Sequence, residues 1–508
     1  MTISDLLTLI GILLAIIAFI SERSREYIFL KFSKCNILMI VVAFLHIHFL
    51  LSYQWWREKF EFLKVFEFNG FPTNEAWAYI LSIVILLYFA WKIFRGKFPL
   101  SSKDKLLVYY KKLLLKNDIP FLAELVERYH LKEVVEFLNK KKAIKINEET
   151  DLWQIRQQEK EYTKIIKGRK LIYGEIIYHN IIINNTFLDN VANINPYLFA
   201  EVIQQLTTMR LRDNIFVNRY LKILMTNKNG VFFREIRNNQ NLGSFDAYRI
   251  EKERPILYAL FNDIEVCSVN QAWRGVGEPA IIEMQEEAKK EYSVLREPNI
   301  EQENDTVWSF RIKIAIWYFD IMVRQAIVQN IDKHMWQFYY YHFVKVIISN
   351  MPNLPFVDSE LNKNSRNFDL IEEIFMNMTC WKNVIVKSKN DKLIKSVYDC
   401  IGQCIYELSI TDKLRDEDKN YLINWVWEDL IETFSEDERG AEIVEKIINI
   451  GFEMFKKLSN LFSPDNEKYL LVLKTLWNKR DISKLDGIDG QRADSFKIKV
   501  IDELKIKI

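Results

Sequence analysis

The sequence predicts an all-α membrane protein, with three N-terminal transmembrane helices followed by a large α-helical cytoplasmic region of bundle or solenoid type. Three observations support this fold class. Three apolar runs lie near the N-terminus, later segments repeat apolar residues at helical spacing, and no glycine-rich phosphate-binding turn follows a predicted strand. Each apolar run has about the 20 residues that a helix needs to cross a hydrocarbon core.

The predicted spans cover residues 3–20, 36–53 and 76–94 and define a transmembrane domain over residues 1–100. Lys and Arg collect on the cytoplasmic flanks of membrane helices. The loop after the first span and the segment after the third are rich in both, whereas neither occurs before the first span. We therefore expect a multi-pass protein of the bacterial inner membrane with its N-terminus outside and its C-terminal body in the cytoplasm.

The cytoplasmic region is expected to form two helical domains, residues 101–296 and 306–508, joined by a polar stretch at 297–305. Residues 308–349 are the most aromatic part of this region, and charged residues interrupt them too often for a fourth span. Aromatic residues among basic ones can stack on single-stranded nucleic acid. Because helical aromatic stripes usually belong to a core, we expect these residues to pack inside the second domain.

Composition limits the function. The 508 residues carry a formal net charge of +2, which gives no strong signal for nucleic-acid binding. Five cysteines in a chain that faces the cytoplasm are expected to be reduced thiols. Cys400 and Cys404 lie four residues apart on a predicted helix, but too few further ligands lie near them for zinc. We predict no metal and no cofactor, and a structural role for this pair.

Two histidines, His46 and His48, are ionisable residues inside the second predicted span. An ionisable residue at membrane depth is a functional hypothesis in itself. In an oligomer, a ring of His46 side chains could line a pore or respond to pH. Residues two apart on a helix point in nearly opposite directions, so both cannot face one lumen. The alternative is a neutral His46 bonded to a neighbouring helix, with His48 nearer the interface.

A region rich in Arg, Asn and turn residues covers 227–279 and is predicted as a polar loop region. Arg offers forked donors to phosphate, and Asn can read the edge of a base. A nucleotide is therefore a possible ligand, although the same residues could build a structural hydrogen-bonded loop or a subunit contact. The candidate ligand-binding residues are Arg234, Arg237, Asn238, Asn239, Arg249, Arg254 and Arg274.

Three hypotheses for function follow. The first is a non-enzymatic, membrane-anchored scaffold or sensor that binds the lipid bilayer and a cytoplasmic protein partner, or another copy of itself. The second is a ligand-gated effector that permeabilises the membrane, as in antiviral defence. The third is an enzyme with a site in 234–274, among Arg234, Glu235, Arg237 and Asp263. No common catalytic motif is found, so no catalytic residue is assigned and the first hypothesis is preferred.

Overall fold

The computed structural model describes most of the chain up to residue 436. The described residues are 8, 11, 15, 18, 21–60, 73–141, 168–240, 250–296, 310–331, 336, 338–352, 365–385 and 390–436. Within them every regular element is a helix, which confirms the predicted all-α class. The helices predicted after residue 436 lie outside these ranges.

The chain forms two compact units, Met1–Val191 and Ala192–Ile508. Each is described by itself below. The division into a transmembrane domain ending at residue 100 and two helical domains stays a prediction.

Among its described residues the first unit has eight α-helices and part of a ninth, with a 3₁₀ turn before α5 and a π-helical turn after α8. They are α1 (Glu22–Leu30), α2 (Lys34–Leu51), α3 (Tyr53–Lys59), α4 (Asn74–Phe94), α5 (Lys103–Leu115), α6 (Ile119–Tyr129), α7 (Leu131–Lys141), α8 (Arg169–Ile177) and α9 (Asn185–Ile194). The boundary between the units falls within α9.

Helices α2 and α4 are the two helices, among the described residues, that are long and apolar enough to cross a membrane. They match the second and third predicted spans, while the first span, 3–20, lies outside the described residues except for four positions. Ser33 and Thr73 cap their N-termini through side-chain oxygens. Only 11% of the apolar window of α2 and 17% of that of α4 is buried, so both present their apolar side chains outward.

The contact between α2 and α4 is narrow and apolar. Ile47 and Leu50 of α2 pack against Ala78 and Ile85 of α4. Near the other end, the side-chain amide of Asn36 donates a hydrogen bond to the hydroxyl of Tyr88. Because the start of α2 lies beside the late part of α4, the two helices run antiparallel.

Helices α5 to α8 form a layer that continues from the end of α4. Leu106, Tyr110 and Leu113 of α5 are buried, as are Leu122 and Val126 of α6. These residues recur every three or four positions, which places them on one helical face.

Within this layer, α7 and α8 approach closely at Gly174. A Cβ atom at this position would collide with the carbonyl oxygen of Glu133 and with Phe137. Glycine is therefore required by the spacing between the two helices.

The part of the second unit that the structure describes has eleven further helices, with a 3₁₀ turn after α15. They are α10 (Pro196–Met209), α11 (Asn214–Leu224), α12 (Val231–Gln240), α13 (Pro255–Phe261), α14 (Ile264–Val269), α15 (Ala272–Lys289), α16 (Arg311–Val328), α17 (Phe338–Asn350), α18 (Arg366–Ile385), α19 (Asp391–Ile410) and α20 (Asp416–Glu436).

Helix α16 is the centre of the second unit. Its residues from Ile314 to Ile327 are all buried, and α12, α15, α17 and α18 pack around it. A helix that is buried on every side is the core of a larger bundle. Tyr318 and Phe319 of α16 and Trp336 are fully buried, which confirms that this aromatic stretch belongs to the core.

The region 227–279 differs from the polar loop that the sequence predicts, because four helices, α12 to α15, occupy most of it. The apolar residues between the polar ones explain the difference. Phe232 and Ile236 of α12, Leu257 of α13 and Val276 of α15 are fully buried. Their burial stabilises helices whose exposed faces carry the Arg and Asn residues that dominate the sequence pattern.

Candidate functional site

The predicted ligand-binding residues of 227–279 do not converge on one site. Arg234, Arg237 and Asn238 are exposed on α12, and Arg274 is exposed on α15. Arg249 lies outside the described residues. Arg234 lines a cavity of about 150 Å³ together with the asparagines at 193, 227 and 229, and this is the part of the predicted set that meets other polar groups in a concave surface.

The two remaining residues, Asn239 and Arg254, are buried and bind each other. A guanidinium nitrogen of Arg254 donates to Oδ1 of Asn239 at 2.9 Å. Beside them Glu235 accepts hydrogen bonds from the backbone N–H groups of Ile256 at 3.1 Å and Leu257 at 3.0 Å. These N–H groups start α13 and have no partner inside the helix. The cluster therefore stabilises the beginning of α13, as in the structural alternative.

Burial raises the pKa of Glu235 to about 7, because loss of solvent outweighs the two backbone hydrogen bonds and the charge of Arg254. The other carboxylate of the enzyme hypothesis, Asp263, caps α14 and pairs with Arg210 at 2.9 Å. Arg274 pairs with Glu278, which also binds Lys222 at 2.6 Å. Each of these charged groups takes part in a local structural contact, within one helix for Arg274 and between chain segments for Asp263 and Glu278.

His46 and His48 are both exposed on α2. They flank Ile47, which is fully buried against α4. The ring of His46 lies 6.5 Å from that of Phe49. Both imidazoles thus lie on surface that α4 leaves uncovered.

A larger cavity lies in the first unit, where the second half of α4 meets α1 and α6. Its volume is about 770 Å³, and we call it the Tyr27 cavity. Most of its wall is apolar and includes Ile28, Leu86, Phe89, Phe121 and Leu125. Ser21, Ser24, Glu124 and Arg128 are the polar and charged side chains of the lining. Binding sites for small molecules typically have this size and this mixture of a broad apolar wall with few polar groups.

Behind the wall of the cavity lies a buried cation. Lys31 is 0% exposed and donates a hydrogen bond from Nζ to the carbonyl oxygen of Ile93 at 2.7 Å. Its ammonium faces the rings of Tyr27 at 4.9 Å and Tyr129 at 4.6 Å from their centroids. Among the described residues no carboxylate lies within ion-pair distance of Lys31.

Burial lowers the pKa of Lys31 to about 8, and the positive charges of Arg128 and Lys92 lower it further. Tyr27, which lines the cavity, is 5% exposed, and its ring lies 5.3 Å from that of Tyr129 between centroids. A buried cation without a carboxylate costs free energy. Behind the cavity wall the protein therefore holds a charge whose loss of solvent it compensates only in part.

Next to the cavity, a hydrogen-bonded cluster fixes the segment that leaves α4. His130 is fully buried and contacts Glu133 at 2.8 Å through Nδ1 and the Tyr110 hydroxyl at 2.9 Å through Nε2. Arg169 pairs with Glu133 at 3.2 Å. The ring of Phe98 stacks on the His130 imidazole, with centroids 5.5 Å apart. All of these polar groups have partners, so the cluster, which we call the joint, links the segment after α4 to the layer of α5 to α8.

Sequence reasoning missed the residues that carry the cavity and the joint: Tyr27, Lys31, Arg128 and His130. In the sequence, Lys31 is only one of the basic residues after the first span that indicate the orientation of the spans. The sequence carried one signal of the cavity. Helix α6 has a pronounced apolar face, and Arg128 lies in the last turn of that helix. The burial of Lys31 depends on contacts with residues about sixty and a hundred positions later, which no local pattern reveals.

Among the described residues, no group of three or more His, Cys, Asp and Glu side chains is arranged to hold a metal ion. Cys400 and Cys404 are both buried on α19, and burial raises the pKa of the Cys404 thiol. Comparison of the chain with models of protein families, with curated proteins and with solved structures finds no match.

Proposed function

We propose that the chain is a membrane-anchored, non-enzymatic helical protein that serves as a scaffold or sensor at the inner membrane. The observation that carries this proposal is the outward apolar surface of α2 and α4. Leu38 and Leu45 of α2 are 61% and 63% exposed, and Leu87 of α4 is 66% exposed. A continuous apolar surface of this kind is costly in water and is suited to the hydrocarbon core of a bilayer.

In this proposal residues 3–20 add a third span, the N-terminus lies outside and the helical body lies in the cytoplasm. The distribution of Lys and Arg supports this orientation. Lys112 of α5 pairs with Glu26 of α1 at 2.6 Å, which ties the segment between the first two spans to the layer of α5 to α8. That pairing is consistent with both segments lying on the same side of the membrane.

The sensor part of the proposal rests on the joint around His130. Phe98 contacts Tyr27 at 5.2 Å and His130 at 5.5 Å between ring centroids, and the hydroxyl of Tyr173 in α8 donates to the carbonyl of Pro99 at 2.8 Å. A tilt of α4 would therefore be transmitted to α1 and α8. A protein partner bound to the layer of α5 to α8 would experience that movement.

The test compares single arginine substitutions in the full chain. Leu45→Arg places a charge on the apolar surface of α2, where it is expected to cost about 3 kcal/mol in a bilayer. Ile215→Arg is the matched control, because Ile215 is 79% exposed on the helical body. We expect the wild type and Ile215→Arg to remain in the membrane pellet after carbonate extraction, and Leu45→Arg to be depleted from it.

Equal extraction of the three proteins into the soluble fraction would overturn the membrane anchor. The scaffold part is tested separately by in-cell cross-linking of the membrane-bound wild type, which is expected to recover a protein partner or a second copy. Membrane retention with no cross-linked protein under any growth condition would support the membrane anchor and contradict the scaffold role.

A second candidate function, a ligand-gated permeabilising effector, is favoured by the exposure of His46. A second copy packed on that face of α2 would remove His46 from lipid, and several copies could surround a pore. We expect expression of the full chain to depolarise cells, with a smaller effect for His46→Ala, if this function holds. Unchanged membrane potential, with the protein in the membrane, contradicts it. The enzyme hypothesis is supported least, because Glu235 and Asp263 bind the ends of helices.

A further inference from the structure

The Tyr27 cavity lies beside the second half of α4, a helix that we propose to cross the membrane. Residues from Leu86 to Phe94 line it, a length of about 12 Å along the helix axis. Phe121 and Leu125 of α6 line the other side. An occupant must therefore match an apolar wall that continues from the apolar surface of α4.

The polar groups at the cavity favour binding of an anion with oxygen acceptors. Arg128 is exposed in the lining. Lys31 lies behind the Tyr27 ring, and no carboxylate of the described chain neutralises it. Among the described residues of the lining, Glu124 is the single carboxylate. The charge balance around the cavity is positive.

We propose that the Tyr27 cavity binds an anionic phospholipid of the bilayer, with an acyl chain along Leu86, Phe121 and Leu125 and the phosphate at Arg128. This inference rests on the proposed membrane anchor. A phosphate oxygen accepts a charge-assisted hydrogen bond from Arg128, and the phosphate charge offsets that of Lys31 across the Tyr27 ring. A free anion would satisfy the polar groups but leave the apolar wall empty.

Lipid bound in the cavity is the signal that the proposed sensor detects. The cavity is formed by α1, α4 and α6, and α6 leads directly to His130 and the joint. An occupied cavity holds these three helices in one arrangement, so the arrangement of α1, α4 and α6 beside the joint depends on the lipid composition of the membrane.

The experiment captures the occupant by photo-cross-linking. Full-length protein with benzoylphenylalanine in place of Phe121 is reconstituted into vesicles of phosphatidylcholine mixed with phosphatidylglycerol, irradiated and analysed by mass spectrometry. We expect phosphatidylglycerol to be captured in excess of its share of the vesicle. Arg128→Gln is expected to reduce that preference about tenfold, through loss of a charge-assisted hydrogen bond. Lys132→Gln, an exposed cation on α7, is the matched control and is expected to leave the preference unchanged.

The apolar wall is tested with two variants of α4. Ala90→Trp fills the cavity and is expected to reduce capture of both lipids, whereas Val84→Trp, on the 54% exposed surface of the same helix, is expected to have no effect. Thermal unfolding of each variant in the same vesicles shows whether it is folded, and Ala90→Leu replaces Ala90→Trp if it is not.

Two outcomes overturn the inference while the membrane anchor stands: capture of both lipids in their bulk ratio, and cross-links to residues 3–20 in place of lipid. Excess glycerol 1-phosphate distinguishes a free anion, because it competes with the lipid only if the headgroup alone supplies the affinity. Failure of the protein to float with the vesicles instead contradicts the proposed function itself.

Discussion

Two buried charges, Asp320 in the second unit and Lys31 in the first, have opposite surroundings. In the second unit, Asp320 is 0% exposed and receives hydrogen bonds from Arg324 at 2.7 Å and Trp381 at 2.7 Å on Oδ1, and from Gln240 at 3.0 Å on Oδ2. In the first unit, Lys31 is equally buried but has one carbonyl and two aromatic rings as partners.

The difference separates buried charges with a structural role from buried charges that the protein compensates only in part. Burial raises the pKa of Asp320, while the charge of Arg324 and the hydrogen bonds from Gln240, Arg324 and Trp381 offset part of the loss of solvent. The network joins α12, α16 and α18 and so helps to specify how the core packs. Lys31 has no comparable compensation and stands beside a cavity, which is why it points to a ligand.

The largest expected effect comes from breaking the compensated network. Asp320→Ala leaves the Arg324 guanidinium buried without its carboxylate and should destabilise the second unit by about 3–5 kcal/mol. Denaturant unfolding of the full chain in detergent measures the change. Glu417→Ala, an exposed carboxylate on α20, is the control and should stay within about 0.5 kcal/mol of the wild type. A similarly small change for Asp320→Ala would contradict the assigned role of the network.

A second, smaller effect sharpens the comparison through pH. Glu235 is buried with backbone donors and Arg254 nearby, and its folded-state pKa of about 7 exceeds the ordinary value of 4.5. Between these pH values the folded state holds more protons than the unfolded state, so the free energy of unfolding falls as pH rises through this window.

The fall is expected to be at most about 3 kcal/mol for the wild type and absent from this site in Glu235→Gln. Unfolding midpoints at about pH 5 and about pH 8 measure it as a difference between the two proteins. Parallel pH profiles for the wild type and the variant would show that the backbone N–H groups of α13 compensate the charge in full.

The smallest effect has the opposite sign. Lys31→Met removes an uncompensated buried cation and keeps the length of the side chain, so the free energy of unfolding should be unchanged or rise by up to about 2 kcal/mol. The pKa of Lys31 falls from 10.5 to about 8, so the folded wild type holds fewer protons between these values and gains stability as pH rises through them. Lys31→Met should lack that gain.

Lys111→Met, an exposed position on α5, is the control. If Lys31→Met is clearly less stable than Lys111→Met, the contrast between Lys31 and the Asp320 network is contradicted. Lys31 would then be a structural residue like Arg324.

Much of the fold could be predicted from the sequence because helices leave a local periodic pattern. The apolar runs that became α2 and α4 and the aromatic stretch of α16 and α17 follow from residue spacing alone. The region 227–279 shows where this reasoning stops. Its exposed Arg and Asn residues concealed the buried Phe232 and Ile236, so helices were predicted as loop.

The candidate site could not be predicted in the same way. Asn239 and Arg254 satisfy each other, which a sequence cannot show, because their contact depends on how α12 and α13 are packed. Likewise nothing in the sequence distinguishes Lys31 from the other basic residues near it. Its contacts with Ile93 and Tyr129 do so in the folded structure. Local patterns report helix faces, whereas partners of buried charges come from tertiary structure.

The bond from Lys31 to the carbonyl of Ile93 also has a consequence for biogenesis. Its two ends are 62 residues apart, with α2 and nearly all of α4 between them. During synthesis Lys31 leaves the ribosome long before Ile93, so the contact can close only after both helices have been placed. It is therefore a late step of assembly, and a chain that stops inside α4 lacks the carbonyl group that Lys31 binds.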